Sequence, residues 1–225
     1  MTRESLESVL SFEKPMSFFN DLCTMVSNIV GRYHVDELSD RLGQHDRLYH
    51  DIWHIGSMYA FYVWLLEEKV LDHDKLICET YSQFEAVICA IMYHDIVYVA
   101  GDGNNETNSL ALWVKHSSGL PDVFCATVGS LILGTVDHFS PQDPASLGAC
   151  FCSLDLMPLA LPYKDFVLNN QLIRLEFGEA TNKQYAKGRN AFLKARVGKQ
   201  IYACPAIGQF LEERAQENIT KYLAV

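Results

Sequence analysis

The sequence has no stretch rich in lysine or arginine. Its 18 basic residues are outnumbered by 28 acidic ones, leaving a net charge of −10. Binding to duplex nucleic acid draws on a basic footprint that displaces counterions, so the charge argues against that class of partner. Long apolar runs are also missing. The stretch at 86–93 is among the longest, and it falls well short of the roughly 20 residues a spanning helix needs, so no membrane partner is expected. The N-terminus shows no cationic segment followed by an apolar core, and no signal peptide is expected. There is no CxxC pair, and the seven cysteines are odd in number. Several lie in apolar helical patterns, where a thiol packs as a small hydrophobe, which points to reduced packing thiols in a cytoplasmic protein. Strand-like alternation, internal repeats and low-complexity tracts are missing too.

What remains is helical. A chain of 225 residues is long enough for one sizeable core and short for two. Phe18, Phe19, Leu22, Met25, Val26 and Ile29 recur at three and four, with Gly31 as a stop. Residues 32–47 are polar and less regular, and read as a short helix followed by a loop. Ile55, Met58, Tyr59, Tyr62, Val63, Leu65 and Leu66 define a helix over 55–70, with His54 in or beside its first turn. Residues 80–93 read as a buried helix and 100–105 as a loop. Further helices are expected at 106–116, at 122–135 with Asp122 as N-cap, and at 145–161 with a break at Pro158. Three more follow at 163–177, 182–196 and 205–222. The expected fold is all-α: one domain over 1–225, with a core at about 17–162 and a helical C-terminal part at about 163–225.

The adjacent pair His94-Asp95 closes the apolar run. A carboxylate and an imidazole at such a place cost stability unless something satisfies them, and a metal ion would satisfy both. His54 upstream and Asp155 downstream complete a set of two imidazoles and two carboxylates suited to a catalytic divalent cation. Adjacent residues on a helix diverge by about 100°, so both members of the pair reach one ion only near a helix end. A core histidine satisfied by hydrogen bonds, and an aspartate serving as a cap, are the plainer alternatives for each residue taken alone.

The motifs resemble those of the HD superfamily of metal-dependent phosphohydrolases. They are closest to a bacterial-type branch with an R-x-YHxxxHI motif, matched here by Arg47-Leu48-Tyr49-His50 and His54-Ile55. Tyr93-His94-Asp95-Ile96-Val97-Tyr98 matches the family's doublet. Asn105-Glu106 with Ser109, Thr135 with His138, and Ser153-Leu154-Asp155-Leu156 follow in the family's order, the last only in part. Ile173-Arg174, Glu176, Tyr185, Gly188-Arg189, Ile201-Tyr202, Pro205 and Glu212 extend the match, which spans about 17–222. Ser153 stands where the family often has an aspartate, and the usual proline before Arg47 is missing.

The resemblance implies an HD-type helical bundle and metal ligation by His54, His94, Asp95 and Asp155. It implies hydrolysis of a phosphate monoester or diester, the substrate being a small phosphorylated molecule, with a nucleotide as the expected class. A metal-activated water would attack phosphorus while the ion neutralises developing charge. Glu106 and His138 are the acid–base candidates. His50 is read as a substrate contact, with direct ligation as the alternative. Arg47, Arg174 and Arg189 are candidates for a phosphate cradle, and Tyr49 for stacking on a base. The donor set accepts Mn, Fe, Co, Ni or Zn, with Mg less natural beside imidazoles. A homo-oligomer is compatible with all of this. Two other functions fit the same residues: a di-iron HD-type oxygenase that recruits His50 and His138, and a non-catalytic nucleotide-binding regulatory module.

Overall fold

A computed structural model describes residues 15–140, 143–178 and 180–224. The fold is all-α, with ten α-helices and no strand among the described residues. None of those helices is long and apolar enough to cross a membrane. The chain gathers into two compact units, one ending at His138 and one beginning at Phe139.

The first unit holds α1 (Pro15–Val30), α2 (Arg32–Leu42), α3 (Ile52–Glu67), α4 (Gln83–Tyr93), α5 (Asn105–His116) and α6 (Asp122–Gly134), then a 3₁₀ turn at Thr135–Asp137. Helices α3 and α4 form its centre. In α4 every residue from Ala86 to Tyr93 is buried, and α3 buries Ile55, Met58, Phe61, Tyr62 and Leu65. Helix α1 crosses α3 at Gly56, where a β-carbon would collide with the Pro15 carbonyl. Glycine is therefore needed there for close backbone approach rather than for an unusual φ.

Several helix ends differ from the sequence reading, each for a local reason. Helix α4 begins at Gln83 rather than Thr80, because Ser82 and Glu85 form a reciprocal capping box. The preceding chain bends back on itself over 77–80, with Leu76 bridged antiparallel to Ser82. Pro121 rather than Asp122 takes the N-cap position of α6. Asp122 is instead the first helical residue, where its charge faces the positive end of the helix dipole. The polar segment after Gly31 makes a regular helix as far as Leu42.

The second unit holds α7 (Leu147–Asp155), a 3₁₀ turn at Met157–Ala160, α8 (Tyr163–Glu176), α9 (Asn182–Lys194) and α10 (Pro205–Leu223). Ser146 caps α7 by accepting from the Ala149 N–H at 3.0 Å. The expected break at Pro158 is the 3₁₀ turn. Buried polar side chains tie α10 to the end of α7. Asn218 donates to the carbonyls of Leu159 and Leu161 at 2.9 and 2.8 Å. The Tyr202 hydroxyl donates to the Leu156 carbonyl at 3.2 Å, and the Ser153 hydroxyl accepts from the Cys204 N–H at 3.0 Å. Ser153 thus serves as a buried link to the start of α10.

Candidate metal centre

Each ligand candidate sits at a helix end. His54 is the third residue of α3. Asp51 caps that helix, its carboxylate accepting from the Trp53 N–H at 2.8 Å and the His54 N–H at 3.2 Å. His54 is 6% exposed, and the Tyr49 ring stacks against its ring with centroids 5.1 Å apart. His94 is the C-cap of α4. Its N–H still bonds the Ala90 carbonyl at 2.9 Å, so it keeps helical direction while the chain turns away after it.

The His94 ring is fully buried, and its Nδ1 lies 3.0 Å from the Ile91 carbonyl. A carbonyl only accepts, so Nδ1 carries the proton. In the neutral ring Nε2 then holds a lone pair, and it faces Asp95 Oδ2 at 3.1 Å. His54 Nε2 lies 3.8 Å from the same oxygen. A lone pair facing a carboxylate oxygen at this distance repels it. The repulsion is relieved by a proton on the ring or by a cation held between the two atoms.

Within the first unit, His54, His94 and Asp95 bring ligand atoms within 4.8 Å of one another; Asp155, the fourth expected ligand, is the last residue of α7 in the second unit. Both histidines are buried and both aspartates half-buried. Two imidazoles and two carboxylates fit a divalent first-row metal. The Nδ1–H of His94, fixed on a backbone carbonyl, is the outer support that metal-bound histidines ordinarily have. The residues present therefore fit an ion.

The segment after the doublet is held from two sides. Arg47, 8% exposed, donates to the carbonyls of His50 at 3.1 Å, Asp95 at 2.7 Å and Ile96 at 2.7 Å. From α5, the Asn105 amide accepts from the Val99 N–H at 2.9 Å and donates to the Val99 carbonyl at 3.0 Å. The Ser109 hydroxyl accepts from the Val97 N–H at 3.1 Å. Sequence reasoning matched Asn105 and Ser109 to a pattern but missed what they do. A buried amide and hydroxyl next to a Gly/Asn loop was the available signal.

Comparison with protein-family models, with curated proteins and with solved structures returns no match. What stands is an all-helical protein with a buried His/Asp cluster that could hold a metal ion.

The other expected site residues lie outside that cluster. The His50 ring stacks on Tyr98, with centroids 3.8 Å apart. Glu106 is half-buried in the first turn of α5, and His138 is half-buried at the end of the 3₁₀ turn. The arginines expected to cradle phosphate all donate to acceptors of the chain. Arg47 does so as above, Arg174 reaches Phe177 O, Ala180 O and Asn182 Oδ1, and Arg189 reaches Asn170 Oδ1. Of the remaining histidines, His45 is exposed and His73 is buried, with Nδ1 2.8 Å from the Tyr62 hydroxyl. His34 and His116 form, with Glu37, a second group that the sequence reading missed.

Proposed function

We propose that this protein is a metal-dependent phosphohydrolase of the HD type, cleaving a phosphate ester of a small molecule, with a nucleotide as the preferred class. The observation that carries the reading is the convergence of His54, His94 and Asp95 to within 4.8 Å in the first unit, with Asp155 as the fourth ligand that the resemblance implies. These four would hold a divalent ion. When bound, such an ion activates water at neutral pH and neutralises charge on a phosphoryl group.

The chain's own residues supply the rest. The Ile91 carbonyl keeps the His94 proton on Nδ1, so the ring offers Nε2 inward. Asp51 holds the first turn of α3 and with it the backbone of His54. Arg47 holds the carbonyls of Asp95 and Ile96, so the aspartate cannot swing away with its loop. Glu106 and His138 are the proposed proton carriers, Glu106 toward water and His138 toward the leaving oxygen. Tyr49 and the stacked His50–Tyr98 pair supply aromatic faces suited to a nucleobase. Charge neutralisation on the substrate falls to the cation, since Arg47, Arg174 and Arg189 donate to the chain's own acceptors.

The test is a screen of nucleotides and generic phosphate esters against Mn²⁺, Fe²⁺, Co²⁺, Ni²⁺, Zn²⁺ and Mg²⁺, with His94→Ala/Asp95→Ala as control. The expected result is metal-dependent phosphate release that the double variant loses. The same ions should raise the melting temperature of the wild type and not of the double variant, by about 2.7 kcal/mol of stability at a hundred times the dissociation constant. Equal release by both proteins overturns the reading. So does a pair of irons per chain with oxygen consumption, or ligand binding without turnover under every ion.

A further inference from the structure

A second set of metal-ligating side chains lies wholly within the first unit, and nothing in the proposed reaction uses it. His34 and Glu37 are three residues apart on α2, which puts them on one helix face. His116 is the last residue of α5. The ligand atoms of the three lie within 4.8 Å of one another.

Three features distinguish this group from a chance meeting of polar side chains. First, His116 is 4% exposed, and among the described residues its Nε2 has no hydrogen-bond partner; nor, among them, does the buried His34 Nδ1. Such atoms cost stability unless something meets them. Second, the Glu37 carboxylate is already oriented. Arg41 holds Oε1 through Nη2 at 2.9 Å and Nε at 3.1 Å, which leaves Oε2 3.5 Å from His116 Nε2. Third, the far side of the His116 ring has the support that a ligating histidine needs: Nδ1 lies 3.0 Å from the hydroxyl of Tyr93. With Nε2 on a cation, Nδ1 carries the proton and the buried Tyr93 oxygen accepts it.

We infer that His34, Glu37 and His116 form a second divalent-cation site, of the class taken by Zn²⁺, that ties α2 to the end of α5. Two imidazoles and a carboxylate are a zinc donor set with one position left for water. A tetrahedral ion holds its ligand atoms about 3.3 Å apart, so the side chains close modestly on binding. The imidazoles are stacked, with centroids 4.0 Å apart at 20°, and must tilt to share the ion. Access is open from the surface, because Glu37 also lines a depression of about 530 Å³ with Tyr33, Asp36, Asp40, Arg41 and Gln44. Its carboxylates draw cations toward the site. Burial, and next the neighbouring His34, push the His116 imidazole below its ordinary value. The hydrogen bond from Arg41 does the same to the Glu37 carboxyl. Both shifts leave the ligating form in place at neutral pH.

The test is equilibrium dialysis of Zn²⁺ against the full chain carrying His94→Ala/Asp95→Ala, which disables the first cluster. That protein should retain about one equivalent of zinc, and His34→Ala or Glu37→Gln added to it should weaken retention at least tenfold. Both added substitutions are at partly exposed positions, so the fold should survive them. In the otherwise unaltered chain, His34→Ala should lower the zinc content by about one equivalent while the first cluster keeps its own. The inference is overturned if the double variant retains no zinc. It is also overturned if retention is indifferent to His34→Ala and Glu37→Gln, as it would be for zinc held by thiols. The readout is metal content, so the outcome is independent of whether phosphate esters are cleaved.

Discussion

Arg47 reaches 48 positions along the chain to donate through Nη1 to the carbonyl of Asp95 at 2.7 Å. The same guanidinium bonds the carbonyls of Ile96 and His50, so one buried cation holds both the approach to α3 and the exit from α4. An arginine read from sequence as a phosphate contact thus orders the backbone that carries the proposed ligands.

Arg47→Ala should destabilise the protein by about 3 kcal/mol, because it strands buried carbonyls. Arg47→Lys should recover less than half of this, since an ammonium cannot span three acceptors with the fixed fork of a guanidinium. Urea unfolding of the three proteins measures it. Equal midpoints for wild type and Arg47→Ala would show that water replaces the guanidinium.

Asn105→Ala should loosen the segment after the doublet more than it loosens the molecule. The side chain closes a two-way pairing with the Val99 backbone from a position 6% exposed. Its removal should lower local protection by about 1–3 kcal/mol. Hydrogen exchange at the Val99 amide, and protease nicking between residues 99 and 104, report this directly. Protection at Val99 that matches the wild type would show that the amide is dispensable.

Stability should rise with pH through the upper part of the acid range, and His73 should account for part of the slope. Burial lowers the His73 pKa from 6.5, with Asp72 opposing in part. The unfolded chain therefore binds the proton more readily than the folded one. The stabilisation is complete above pH 6.5 and declines as pH falls from there toward the lower folded value. The Tyr62 hydroxyl meets Nδ1 in this buried place, so protonation also disturbs that bond. His73→Gln should flatten the dependence of the urea midpoint across this window. An unchanged slope would assign it to other groups.

Helix content was legible because it is local. The three-and-four spacing of Phe19, Leu22 and Val26 marks a face that must be buried, and all three are buried. Helix ends were harder to read. The N-cap of α4 depends on Ser82 and Glu85 finding each other, and Pro121 displaced Asp122 from the cap of α6. The cluster was legible in part, because His94 and Asp95 are adjacent and end an apolar run where an unsatisfied charge is costly. His34 and His116 gave no comparable sign. Neither belongs to a ligand-spaced motif at its own place in the sequence, and only the packing of α2 near the end of α5 puts one ring on the other.

The sequence by itself determined the all-helical class, the order of the elements and the doublet at the end of α4. These follow from backbone hydrogen bonds four residues apart and from apolar periodicity, both of which act over short stretches. The tertiary structure alone decided which donors come within reach of a common ion, which arginine turns inward to backbone carbonyls, and which histidine rings stack on one another. Those outcomes depend on contacts between distant segments. Such contacts form only when the buried faces have packed, and no local pattern encodes their direction.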